Sequence, residues 1–249
     1  MANRPAASRV ASAILALTLS GLALHLASCD QSKQKDRGSP ATQPAATKPA
    51  ATRPAATQPA KEERLADGWE AIFDGQSLTG WKVPKFGGEG KVYAKDGCLH
   101  LEMGEMCTGA TYTGVVPRED YEVHLEFMRA DGSDFPCALT FPVGKDPLTF
   151  VIGGWGGSII GVSCIDGYDA SDNPFSKFSE LKDKKWYKVL VRVTKEKVEC
   201  YLDDERMIDI PRAEHKFSIR PEVEDCVPLG IATWRTYGVI RNIRIRTLE

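Results

Sequence analysis

Three side chains with acid–base capacity alternate along one strand-like segment: Glu122, His124 and Glu126 in DYEVHLEFMRADG. Alternate residues of an extended chain point the same way and stand ~7 Å apart. That is within the roughly 5–9 Å over which paired carboxylates cleave a glycosidic bond. His124 and Glu126 are therefore candidate catalytic groups, and the plainer reading is the solvated face of an antiparallel strand. Asp166, in CIDGYDASDN, is a third candidate. With Asp169 and Asp172 it belongs to an oxygen-rich loop of a kind that can hold calcium or simply face water; no cofactor is required by any motif. Trp155 in GGWGG has a ring unshielded by its neighbours, suited to stacking on the apolar face of a sugar or, alternatively, to folding inward. Trp234 and Arg235 lie together in IATWRTYGV, and Asp131 and Asp134 flank a turn in ADGSD. Asp131, Asp134, Trp155, Asp169, Trp234 and Arg235 are the candidate substrate contacts. The glycines around Trp155 precede no helix, so a phosphate cradle has no mechanism there. A metal-ligand cluster of Cys and His is also missing.

The elements that must hold these residues read as strands. Tyr121, Val123, Leu125 and Phe127 alternate with the polar set above. Val189, Val191 and Val193 alternate with Leu190 and Arg192, and Val198, Cys200 and Leu202 follow after a Lys195–Glu196 turn. Period two marks half-buried strands. Turn signals recur at Asp96–Gly97, Asp131–Gly132, Gly153–Gly154 and Asp166–Gly167, and no window of helical length carries an apolar stripe. Many short strands so punctuated predict an all-β, two-sheet antiparallel jelly-roll sandwich. In AIFDGQSLTGW the turns at Asp74–Gly75 and Thr79–Gly80 carry the chain across one end of it. Trp81 then closes the seam between sheets, since such a ring buries about 150–250 Å².

The sandwich is predicted to occupy residues 66–249, behind two other segments. Arg4 and Arg9 precede a mostly apolar run from Val10 to Leu26, the layout of an export signal. It ends in Leu26-Ala27-Ser28-Cys29, similar to a bacterial lipoprotein cleavage box, so residues 1–29 are expected to be a signal peptide with Cys29 as the lipidated residue. Residues 30–65 contain a near-repeat of PAATQ type. Proline at that density excludes helix and sheet interior and predicts a semi-extended tether reaching roughly 100 Å. The expected location is the bacterial cell envelope, with the domain outside the cytoplasm. Residues 1–66 hold nine Lys/Arg against four Asp/Glu, and the remainder 23 against 30. A domain near −7 is a poor partner for nucleic acid. Its six cysteines, in an exported chain, admit disulfides in any of 15 pairings, or act as small buried hydrophobes, as the spacing of Cys200 indicates.

IFDGQSLTGWK resembles the opening motif of the 3-keto-disaccharide hydrolase domain family. VYAKDGCLHLEMG, DYEVHLEFMRADG and VIRNIRIRTLE are similar, in order, to later strands of that family, so the resemblance runs from Trp69 to Glu249. It implies a concanavalin A-like jelly roll, as the periodicity does. It also implies action on a saccharide, an oxidised glycoside in which a 3-keto group acidifies the neighbouring C–H. Such a bond is cleaved with a base and an oxyanion donor, roles that fall to His124 or an Asp near 166. The family's Asn-Ser-Gly run is replaced here by Asp131-Gly132-Ser133-Asp134, Pro142 stands near its expected Arg, and its Glu-x-Gln is missing. A non-catalytic glycan-binding module and a structural or interaction sandwich are the alternatives.

Overall fold

The computed structural model describes residues 67–249; Cys29, the export signal and the tether lie outside the described residues. Fifteen strands follow one another: β1 (Glu70–Ala71), β2 (Trp81–Lys82), β3 (Val92–Lys95), β4 (Cys98–Leu101), β5 (Cys107–Tyr112), β6 (Tyr121–Gly132), β7 (Cys137–Val143), β8 (Asp146–Gly153), β9 (Ile159–Ser163), β10 (Ser176–Phe178), β11 (Trp186–Val193), β12 (Lys197–Leu202), β13 (Glu205–Pro211), β14 (Gly230–Trp234) and β15 (Thr236–Thr247). Short helical turns occupy Gly154–Gly157, Arg212–Glu214 and Pro221–Cys226.

They form two antiparallel sheets, the predicted jelly-roll class. One has eight strands in the order β13-β12-β11-β6-β15-β4-β3, with β1 also on β15. The other has seven, β10-β9-β8-β7-β14-β5-β2. The inner faces meet in a single core. Tyr121, Val123, Leu125 and Phe127 enter it from β6, Val189, Val191 and Val193 from β11, and Leu139, Phe141, Phe150 and Ile152 from β7 and β8. Each alternating run thus has its apolar set inward, as period two requires.

β15 is long enough to serve two neighbours in line. Gly238–Ile240 pair with β4 and Arg244–Ile245 with β1. Between these stretches the register to β6 shifts, and Asn242 adopts φ +54°, a left-handed conformation that Asn tolerates better than most residues. The bulge sends Ile240, Ile243 and Ile245 inward.

The opening turns work as expected. Asp74 caps its own loop, its Oδ1 accepting from the N–H groups of Gln76 and Ser77 at 2.8 Å. Trp81 is 7% exposed and stacks obliquely on Tyr112, centroids 5.5 Å apart. Its indole N–H donates to the Ile72 carbonyl at 2.7 Å, tying strand β2 to the segment that enters the fold. The six cysteines in the described residues are free thiols, all buried except the half-buried Cys164. Trp81→Ala is expected to cost about 3–5 kcal/mol in urea unfolding, and Trp81→Phe, which keeps a six-membered aromatic ring but loses the hydrogen bond and the rest of the indole, a smaller amount of at least about 1 kcal/mol.

Candidate functional site

The outer face of the seven-stranded sheet is built from small side chains. One row of cross-strand partners reads Gly109, Ala232, Ala138, Val151, Gly161. The next reads Thr111, Gly230, Thr140, Thr149, Ser163. Such residues leave a hollow over the strands. The Pro221–Cys226 turn covers part of it, Val223 and Cys226 packing on Cys107 and Ala232. The uncovered part is an open cleft of about 230 Å³ floored by Ala138, Thr149, Val151 and Ser163. Asp134, Phe135 and Trp155 line it along with Arg220, Glu222 and Val223. Trp234 also lines it, and with Glu222 and Cys107 it lines an adjoining hollow of about 200 Å³.

Local structure sets each wall. Trp155 sits in the β8–β9 turn, where Gly153, Trp155, Gly156 and Gly157 all have positive φ. At +52° the tryptophan carries a strain of about 1–2 kcal/mol. Asp134 holds the turn: its Oδ2 accepts from the Gly156 N–H at 2.9 Å and its Oδ1 from the Phe135 N–H at 2.8 Å. The Trp155 side chain is left partly exposed, at 40%. Phe135 lies against Trp234, centroids 6.4 Å apart, so three aromatic rings border the hollow. Arg220, which lines the same cleft, is clamped between two carboxylates. Its Nη1 donates to Asp169 at 2.6 Å and its Nη2 to Glu222 at 2.8 Å. The Arg220 guanidinium holds the Glu222 carboxyl below the usual range. Burial pushes the Asp169 carboxyl up, but hydrogen bonds from Ser171 together with Arg220 outweigh it and leave it lowered. Burial raises the Cys107 thiol, at the edge of the floor, to about 12, so it is a neutral wall group rather than a nucleophile.

Of the residues singled out in the sequence, Asp134, Trp155 and Trp234 meet in this cleft, and Asp169 acts on it through Arg220. The others are elsewhere. His124 and Glu126 project from the outer face of the eight-stranded sheet, because on β6 the opposite parity fills the core. Glu126 accepts from Arg241 Nε at 2.9 Å and Asn242 Nδ2 at 2.8 Å. Burial raises its carboxyl, but these two donors dominate and it lies below its ordinary value. His124 is lowered, chiefly by burial, and meets the edge of Trp69 at 6.1 Å. Asp166 accepts from the Lys216 N–H at 2.8 Å and pairs with His215 Nδ1 at 2.7 Å. It thereby fixes the 215–218 segment and is not a cleft-lining residue. Asp131 caps the Gly132 N–H. Arg235 is at the corner where the chain passes from one sheet to the other, its Nε donating to the Glu105 carbonyl at 2.9 Å. Asp166 is bonded to His215 and Asp169 to Arg220, and among the described residues no three His, Cys, Asp or Glu form a metal-sized group. Arg220, Glu222 and Phe135 were not singled out in the sequence. Arg-Pro-Glu before a buried Val and Cys was the available signal, since proline starts a short turn with its neighbours outward.

Comparison with known proteins agrees with this architecture. Residues 68–246 match the 3-keto-alpha-glucoside-1,2-lyase-like domain, and the chain belongs to that family. Among solved structures it is similar to the Crh5 transglycosylase in complex with NAG, at 11% identity and TM-score 0.50 over 76% of this chain and 87% of that one. It is also similar to the carbohydrate binding module CBM66 from Bacillus subtilis (13%, TM-score 0.47, 68% and 96%) and to a protein of unknown function with a galectin-like fold from the same organism (11%, 0.48, 68% and 90%). At 11% identity the likeness to the transglycosylase is one of fold. No curated protein sequence matches the chain.

The Arg220–Glu222 pair gives a pH prediction. A carboxyl lowered on folding stabilises the fold above its ordinary pKa near 4.5, and this is lost as pH falls through the folded value. Carboxyl-carbon NMR should find Glu222 titrating below 4.5 in the native chain and at or above 4.5 in Arg220→Gln. Equal values in the two would show that the pair is not formed.

Proposed function

We propose that the chain is a carbohydrate-active domain that takes a sugar ring in the cleft of the seven-stranded sheet. One observation carries this reading. Trp155, Phe135 and Trp234 border a hollow whose floor is too small-sided to be core and too apolar to be ordinary surface. Flat rings present apolar area at low entropic cost, and the carboxylates beside them, Asp134 and Glu222, are the few polar contacts that orient a ligand in such pockets. The carbohydrate-related names of the family and of the transglycosylase support the same class of ligand.

Within that class, membership of the lyase-like family supports cleavage of an oxidised, 3-keto glycoside by removal of the proton beside the keto group. The base must stand in the cleft. Asp134 is the lining carboxylate without a cation partner among the described residues, and it takes that role in this reading in place of His124, Glu126 or Asp166. A binding module without turnover is the second reading, favoured by the clamping of Glu222 in an ion pair. In either case the proposed setting is the bacterial envelope, with lipid at Cys29 and residues 30–65 as tether.

Calorimetric titration with oligosaccharides should give saturable binding that Trp155→Ala weakens by about 2 kcal/mol, roughly thirtyfold. His124→Ala, on the other sheet, should leave the affinity unchanged. Incubation with 3-keto-glycosides should release aglycone, and Asp134→Asn should abolish the release. Binding indifferent to Trp155 would remove the assigned site, and no release from any 3-keto-glycoside would leave the binding module.

A further inference from the structure

The charges of the cleft point to a narrower ligand class, an inference that rests on the cleft being the saccharide site in its binding-module reading, where Asp134 contacts the ligand and takes no proton from it. One cation, Arg220, lines it, and this guanidinium is committed. Nη1 is given to Asp169, and Nη2 and Nε to the two oxygens of Glu222. Two carboxylates, Glu222 and Asp169, hold this guanidinium, and a third, Asp134, lines the same cleft. Asp134 is in no ion pair among the described residues. Its two oxygens each accept one backbone N–H, and each keeps a further lone pair, since an ionised carboxylate offers about four acceptor positions. It lines the same hollow as Trp155, Phe135 and Trp234. Ring faces carry negative quadrupole potential and attract cations within about 6 Å. Carboxylate and aromatic faces around one open hollow match a primary ammonium: three donors, positive charge, small size.

An anionic sugar meets the opposite situation. Its carboxylate would enter beside Asp134 with the guanidinium that lines the cleft already shared between two acids, in a domain whose net charge adds to the repulsion. A hydroxyl or an acetamido group at the same place has no charge to exchange with Asp134, and the acetyl group would displace the amine from the carboxylate.

We infer that the cleft selects amino sugars: saccharides carrying a free, protonated amine that pairs with Asp134 between the aromatic walls, in preference to their N-acetylated and neutral counterparts and to the exclusion of uronic acids. Asp134 is the specificity-determining residue, and Glu222 with Arg220 keeps that part of the lining closed to anions.

The test is calorimetry on the full chain with glucosamine oligosaccharides, the matching N-acetylglucosamine oligosaccharides, neutral gluco-oligosaccharides and oligogalacturonides of equal length. The free amines should bind at least tenfold more tightly than the acetylated and neutral series, with no detectable uronide binding. The tenfold margin should shrink as ionic strength rises from 20 mM to about 0.5 M, where charge interactions are screened within a few ångströms. In Asp134→Asn the amine and acetylated series should fall within threefold of each other. Equal affinity for the amine and acetylated series, a margin insensitive to salt, or uronides binding as well as neutral sugars would overturn the inference while leaving saccharide binding intact. Because the salt arm uses the native chain, a variant that fails to fold does not blunt the test. Loss of binding in all four series would instead overturn the saccharide site itself.

Discussion

The structure depends on a difference in side-chain size between the two faces of one sheet. Along β7 and β8, Leu139, Phe141, Leu148, Phe150 and Ile152 point inward, and Ala138, Thr140, Thr149 and Val151 point outward. The large set seals the layer between the sheets. The small set leaves room on the other side, and every wall of the cleft borders that room. Period two couples the two outcomes: a slip of one residue would turn the phenylalanines to the outer face and the alanine and threonines into the layer between the sheets. The same pairing that stabilises the core therefore produces the hollow.

The two outer faces of the sandwich use charge differently. On the eight-stranded sheet the charges largely satisfy one another. Glu122 is fully buried beneath Arg192 and Arg246, each donating from Nε at 2.6 Å. Glu126 is held by Arg241 and Asn242, and Trp69 is covered by the guanidinium groups of Arg244 and Arg246 at 4.9 and 4.6 Å. That face is a closed network of cations, anions and rings. On the seven-stranded sheet Asp134 spends its acceptors on backbone N–H groups that fix a turn, and no cation answers it among the described residues. Trp155 remains partly exposed there in a left-handed conformation, a kind of strain that clusters at ligand sites.

The fold was legible because alternation is local: Val189 to Val193 or Tyr121 to Phe127 declare their buried face without reference to any other segment. Strand order was not, since β14 lies between β5 and β7 through pairings far apart in sequence. The same limit explains the candidate site. Alternation shows that His124 and Glu126 point outward, but a sandwich has two outer faces, and only the long-range pairing of β6 with β11 and β15 decides which one they occupy. Trp155 and Asp134 were visible because glycines and an Asp-rich turn mark local departures from strand geometry. Arg220 and Glu222 ride on a 3₁₀ turn with no periodicity, and they reach the cleft only because Val223 and Cys226 anchor that turn on Cys107 and Ala232.

The central claim, that ligand occupies the small-sided face and not the charged one, is open to a direct measurement. The chain has five tryptophans, of which Trp155 and Trp234 border the cleft, Trp81 is in the core, and Trp69 and Trp186 belong to the eight-stranded sheet. Indole N–H resonances followed during saccharide titration should show Trp155 and Trp234 shifting together while the other three stay in place. Shifts at Trp69 or Trp186 with Trp155 and Trp234 unmoved would place the ligand on the opposite face and contradict the account.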